Sequence, residues 1–172
     1  MKEIDMAKEK TLHDAFYDAL RDTLSAEKAS VRAMKKGAKA AEATELREAL
    51  ERHAEESAIQ VERLEQVFEI FGRAARGKTC EAMQGLTAEL EDHLEDYKGT
   101  PAADAVLISS VQAMEHYEIA RYGTLRVWAQ QLGLDDAAKL LEETLEEEKK
   151  TDMLMSQVAE GLANAKGEAQ EA

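Results

Sequence analysis

A single proline, Pro101, interrupts 172 residues, and this constrains the fold more than any motif does. Proline ends or kinks a helix because it lacks an N–H and clashes with the preceding turn. A chain nearly free of it can run long helices. Its commonest residues include Ala, Glu, Leu and Lys, which are good helix formers. No stretch shows the alternation of a half-buried strand. The reading is all-α, and the length suits one domain with a sizeable core.

The remaining breakers divide the chain into four long helices and a short one. Thr11 caps the first, whose apolar stripe runs Leu20, Leu24, Glu27, Val31, Met34 and stops near Gly37. Thr44 opens the second, with Leu46, Leu50, His53, Glu56 or Ser57, Gln60, Leu64, Val67 and Phe71 on one face, and Gly72 closes it. A short amphipathic helix is expected from about Cys80 to Tyr97. Thr100-Pro101 starts the next long helix, since proline is welcome at the first helical position. Its face reads Ile108, Val111, Glu115, Glu118, Tyr122, Leu125, Ala129 and Leu132, and Gly133 ends it. Asp135 caps the last, expected to reach about Ala163. The expected division is a polar segment at 1–10, a bundle over 11–163 and a frayed tail over 164–172.

The two outer connections are short, so each helix pair forms an antiparallel hairpin, while the middle connection is long enough to travel the length of the bundle. Two hairpins joined by one long crossover make a ferritin-like four-helix bundle. An up-and-down five-helix bundle is the alternative.

Charge narrows the partners. The 22 basic and 36 acidic residues leave a net charge of −14, and such a surface repels nucleic acid and anionic membrane. Cys80 is the only cysteine, which excludes an intramolecular disulfide and a cysteine metal cage. No signal peptide or membrane span is visible, and the expected compartment is the cytoplasm.

Glutamates stand where apolar residues belong. Glu115 and Glu118 interrupt an otherwise apolar seam at i and i+3, which share a helix face. Glu27 breaks the first helix's stripe in the same way, His53 and Glu56 lie one turn apart on the second, and the last helix offers Glu143, Glu147 and Glu148. In a chain so rich in Glu, a seam glutamate can also be an edge residue. Their placement argues otherwise: Glu27 and Glu56 are 29 residues apart, as are Glu118 and Glu147, so an approximate twofold sets all four at mid-bundle. Diiron carboxylate bundles require such a layer. Placing the last turn at Leu134 leaves Glu147 roughly 4.5 Å short of Glu118's height, so Glu148 and Asp152 are its alternatives.

Other groups carry weaker signals. His53 reads equally as a buried histidine or a ligand. His116 lies about 100° around the helix from Glu115 and suits another surface or a ligand-orienting role. His13 and His93 read as exposed, Tyr117 and Tyr122 as packing residues, and Cys80 as a small buried residue. No phosphate loop or nucleophile elbow is present.

Several stretches resemble the YciF-like bacterial stress-protein family: Ala26-Glu27-Lys28, His53 to Glu56, Gln60 to Glu65, Cys80 to Met83 with Gly85-Leu86, Glu115-His116-Tyr117-Glu118-Ile119-Ala120 with Tyr122-Gly123-Thr124, and Glu143 to Lys149. They span about residues 11–163 in the same order. The resemblance implies a ferritin-like fold, a dinuclear iron site, dimerisation and a link to stress responses, without a settled reaction. The positions it carries over as metal ligands are Glu27, His53, Glu56, Glu115, Glu118 and Glu147. The Glu-x-x-His pair of better-known diiron bundles is absent, because Ile59 follows Glu56 and Lys150 follows Glu147 at that spacing.

The expected function is therefore a stress-response protein binding two iron ions, with manganese as the other candidate, that oxidises iron or reduces oxygen or peroxide. It would act as a homodimer with an external electron donor. A non-catalytic interaction module with a structural or vestigial metal site is the rival reading.

Overall fold

A computed structural model describes residues 9–171, with side chains to Leu162. Five helices follow one another: α1 (Leu12–Ala40), α2 (Thr44–Phe71), α3 (Glu81–Asp96), α4 (Ala103–Gln131) and α5 (Asp135–Glu171). There is no strand among the described residues.

Local chemistry sets the helix ends. Thr11 and Asp14 close a capping box: the Asp14 N–H donates to Thr11 Oγ1 at 3.3 Å and the Thr11 N–H to Asp14 Oδ2 at 2.9 Å. Gly72, at φ 75°, ends α2 in the left-handed conformation that glycine adopts without strain. The start of α2 lacks a side-chain cap of its own. Asp104, on α4, accepts instead from the Glu42 and Ala43 N–H groups at 2.8 and 2.9 Å, which ties the α1–α2 turn to the start of α4. At the other end of the chain, α5 continues past Ala163, where it was expected to stop, to Glu171. The sequence there contains Asn164 and Gly167 but no proline, and its Ala, Lys, Glu and Gln residues are good helix formers. The expected segment at 1–10 lies almost wholly outside the described residues.

α1 packs beside α2 and α4, α5 beside the same two, and α3 lies outside against α1 and α4. The Phe16 and Phe71 rings meet at 5.0 Å, which places the end of α2 beside the start of α1. Since α4 starts at the far end, beside the α1–α2 turn, the 72–102 connection travels the length of the bundle. This is the ferritin-like connectivity expected from loop lengths, and the five-helix up-and-down alternative does not form.

The core has two apolar parts. One holds Met34, Leu46, Leu50, Ile108 and Val111, and the other Phe16, Leu20, Leu64, Phe68 and Leu125. Each such side chain contributes about 1.5–3 kcal/mol on burial. A layer of polar residues from all four long helices separates them.

Candidate metal centre

Glu27 of α1, Glu115 and Glu118 of α4 and Glu148 of α5 are each 0 % exposed, and His53 of α2 is 3 % exposed. Burying an unpaired carboxylate costs several kcal/mol, so a layer like this cannot be retained for stability alone.

The hydrogen bonds leave a pattern of used and unused atoms. Tyr122 OH donates to Glu27 Oε2 at 2.5 Å and Ser30 Oγ to Glu118 Oε2 at 3.3 Å. Each of these two carboxylates keeps Oε1 without a partner, whereas both oxygens of Glu115 and of Glu148 lack one. His53 Nδ1 lies 3.1 Å from Thr151 Oγ1 and 3.4 Å from Glu56 Oε2, which leaves Nε2 facing the layer. That nitrogen is 3.0 Å from Glu115 Oε1 and 3.9 Å from Glu148 Oε2, near enough to attract but not aligned as a hydrogen bond. One donor atom each of His53, Glu115 and Glu148 falls within 4.8 Å of the other two.

Electrostatics follow from this crowding. Burial pushes Glu27 up to about 7, although the Tyr122 hydrogen bond and the His53 charge pull the other way. Burial, and then the neighbouring carboxylates, hold Glu118 and Glu148 well above the usual range. Burial opposes charge on His53, but Glu115 outweighs it and raises the imidazole well above its ordinary value. Without a cation the layer keeps protons that free carboxyl groups would release near neutral pH.

The residues could hold metal. Seven buried donor atoms have no hydrogen-bond partner: Glu27 Oε1, His53 Nε2, both oxygens of Glu115, Glu118 Oε1 and both oxygens of Glu148. Four carboxylates and one imidazole make a hard, oxygen-rich donor set.

Glu27, His53, Glu115 and Glu118 come together as expected from sequence. Glu147 does not join them. It points to α2, where Arg63 Nη1 and Nη2 donate to it at 2.7 and 3.0 Å and Gln60 Nε2 at 3.0 Å. Glu148, one residue on and about 100° around the helix, takes the inward place. Glu56 is likewise not a member of the buried layer. Its side chain is 39 % exposed and reaches the outer nitrogen of His53, while Ser57 takes the inward position on α2.

Other positions differ less. His116 sits on the surface, 3.1 Å from Asp152, and His13 is exposed as expected. His93, expected to be exposed, is half-buried with Nδ1 2.8 Å from Ser110 Oγ. Cys80 is buried at the start of α3. Sequence reasoning gave Arg63 no role; its only signal was a basic residue in the Gln60–Leu64–Val67 seam. Outside the layer, a cleft of about 240 Å³ between α2 and α5 leads in to His53, past Arg52, Glu56, Lys150 and Thr151.

The family model described as a domain of unknown function, DUF892, matches residues 11–168. The chain belongs to this family. Protein YciF of Escherichia coli (strain K12) is 44% identical over 160 residues, 92% of this chain and 96% of its own. The crystal structure of the E. coli stress protein YciF matches with a TM-score of 0.87 over 91% of this chain and 99% of that one. YcfI from Rhodopseudomonas palustris, 36% identical, matches at 0.83 over 91% and 98%. A protein of Xanthomonas campestris pv. campestris, 21% identical and covering 94% of this chain and 100% of its own, shares the fold at a TM-score of 0.75. Among the described residues of this DUF892 member, no helix is long and apolar enough to cross a membrane.

Proposed function

We propose that this DUF892 protein binds two iron ions, or manganese ions, in the mid-bundle layer and uses them to consume dioxygen or hydrogen peroxide in a stress response. The observation that carries the reading is the set of seven buried donor atoms without partners. Buried polar atoms are almost always paired, and a cluster of orphans from acids is what metal removal leaves. The stress role comes from the description of the E. coli relative.

Bound iron would supply the change of oxidation state. The chain's residues supply placement and charge. Tyr122 and Ser30 each occupy one oxygen of a carboxylate, so Glu27 and Glu118 can offer a single oxygen. Glu115 and Glu148 can offer two each. Thr151 and Glu56 hold the outer nitrogen of His53 and aim the inner one, as outer partners of ligating histidines do. The two apolar core halves keep bulk water from the layer. With one cysteine in the chain, repeated turnover needs an external electron donor.

One observation favours the rival reading, a structural metal site in a non-catalytic module: all four layer carboxylates are sealed from solvent, and structural sites are closed. Anaerobic loading with ferrous iron followed by air separates the two. The redox reading expects a ferric absorption band and matching oxidant consumption. Iron that stays ferrous in air would leave the structural reading.

A further inference from the structure

The chain carries 36 acidic against 22 basic residues, but one cavity reverses that balance. It measures about 510 Å³ and lies where the last turns of α1 and α3 meet the first turns of α4. Lys36, Lys39 and Lys98 line it, against a single acid, Glu42. Glu91 neutralises Lys36 at 2.7 Å. Lys39 and Lys98 have no carboxylate partner among the described residues, although this chain offers acids in excess. Like charges gathered on one rim repel, and an anion bound between them removes that cost.

The wall beneath these lysines is apolar. Leu107, buried in the core, lines it from α4, and Leu94 and the C-cap residue Tyr97 line it from the α3 side. Tyr97 is 40 % exposed, so its ring forms part of the lip. His93 makes this wall rigid. Its Nδ1 lies 2.8 Å from Ser110 Oγ on α4, which in turn donates to the Val106 carbonyl at 3.2 Å. The His93 and Tyr97 rings meet edge-on at 6.3 Å. Apolar walls, an aromatic lip and a few charged groups at the rim are the make-up of a small-molecule site, and the volume falls in the usual range of about 300–1,000 Å³.

We propose that this cavity binds a small aromatic carboxylate. The ring of the ligand lies on Leu94, Tyr97 and Leu107, and its carboxylate sits between Lys39 and Lys98. The exposed Tyr97 ring favours an aromatic body, since paired rings gain beyond the area they bury. Two ammonium groups without partners supply the charge-assisted hydrogen bonds that a carboxylate accepts. The inference stands apart from the metal reading: Leu107 precedes Glu115 by eight residues, roughly 12 Å along α4.

Titration calorimetry of the full chain with naphthoate tests this, with acetate as the head alone and naphthylmethanol as the body alone. Naphthoate is expected to bind one per chain, and each half-ligand about tenfold more weakly or worse. The double variant Lys39→Glu/Lys98→Glu alters only exposed side chains, so it is expected to keep native helicity by circular dichroism. It should weaken naphthoate by about tenfold or more. Lys28→Glu/Lys139→Glu makes the same change of net charge at exposed positions outside the cavity, and it should leave the affinity at the native value. No naphthoate binding at millimolar concentration would overturn the proposal. So would equal loss in the two double variants, which would report overall charge alone, or acetate bound as tightly as naphthoate, which would leave the apolar wall without a role.

Discussion

Tyr122 OH donates to Glu27 Oε2 at 2.5 Å, and neither residue has any exposed surface. A phenol held this way on a buried carboxylate fixes one oxygen and leaves the other for a cation. Burial, and then the Glu27 charge, keep the phenol protonated, well above the ordinary tyrosine value. It is therefore a fixed donor through the neutral range.

Tyr122→Phe keeps the ring in the core and removes only this hydrogen bond. The metal-free variant is expected to lose about 1–2 kcal/mol. Because Tyr122 pulls Glu27 down from an even higher value, the variant's carboxyl should also titrate above its native value of about 7. Difference infrared titration of the carboxyl band reads that directly, and an unmoved midpoint would separate Tyr122 from Glu27.

Glu147 and Glu148 are neighbours with opposite expected phenotypes. Glu148→Ala removes a layer carboxylate, so elemental analysis after iron reconstitution should show loss of at least one of about two ions per chain. Glu147→Ala leaves the layer intact and strips Arg63 of its main acceptor. It should keep native iron and lose about 2 kcal/mol in denaturant melts. Reversed results would mean that α5 is rotated by one residue in solution.

Much of this was legible in the sequence. The helices, both hairpins and the crossover followed from one proline, well-placed glycines and connection lengths. Glu115 and Glu118 were readable because two acids interrupt a long apolar seam. What failed was rotation about a helix. Neighbours in a run such as Glu146-Glu147-Glu148 differ by about 100°, and in an acidic stretch no apolar stripe shows which one faces inward. The deciding fact was a partner on another helix: Arg63 draws Glu147 away. Glu56 failed similarly, since Ser57 carries no charge to mark an inward position.

Stability of the metal-free protein should fall with rising pH. Glu27 holds its proton to about 7 when folded, against 4.5 for the ordinary carboxyl. Between these values the folded chain binds the extra proton, so stability decreases as pH rises. Glu118 and Glu148, also raised, act in the same direction. So does His53, whose raised value gives stability that is lost as pH climbs through it. Glu27 alone accounts for about 3 kcal/mol by linkage. With iron bound the sign reverses, because the cation displaces these protons and binds better as they leave. Thermal melts from about pH 5 to about pH 8 should slope oppositely for the two forms, and parallel slopes would rule out cation binding in the layer.

Glu118→Gln isolates one carboxylate at nearly constant shape. In the metal-free protein Glu118 is pressed by burial and by Glu27, Glu148 and Glu115. Replacing it with an amide removes charge from that crowd and offers its neighbours an N–H donor. At a pH above neutrality the variant should be more stable than native by about 1–2 kcal/mol. The iron-loaded protein should move the other way, because Oε1 of Glu118 is one of the proposed donors and metal binding stabilises only the folded state. A solvated glutamate cannot give this pair of results, since its replacement would be nearly neutral in both forms, within about 0.5 kcal/mol. Anaerobic melts of native and variant chains, each with and without ferrous iron, decide it. Shifts of one sign in both states would show that Glu118 contributes to packing alone.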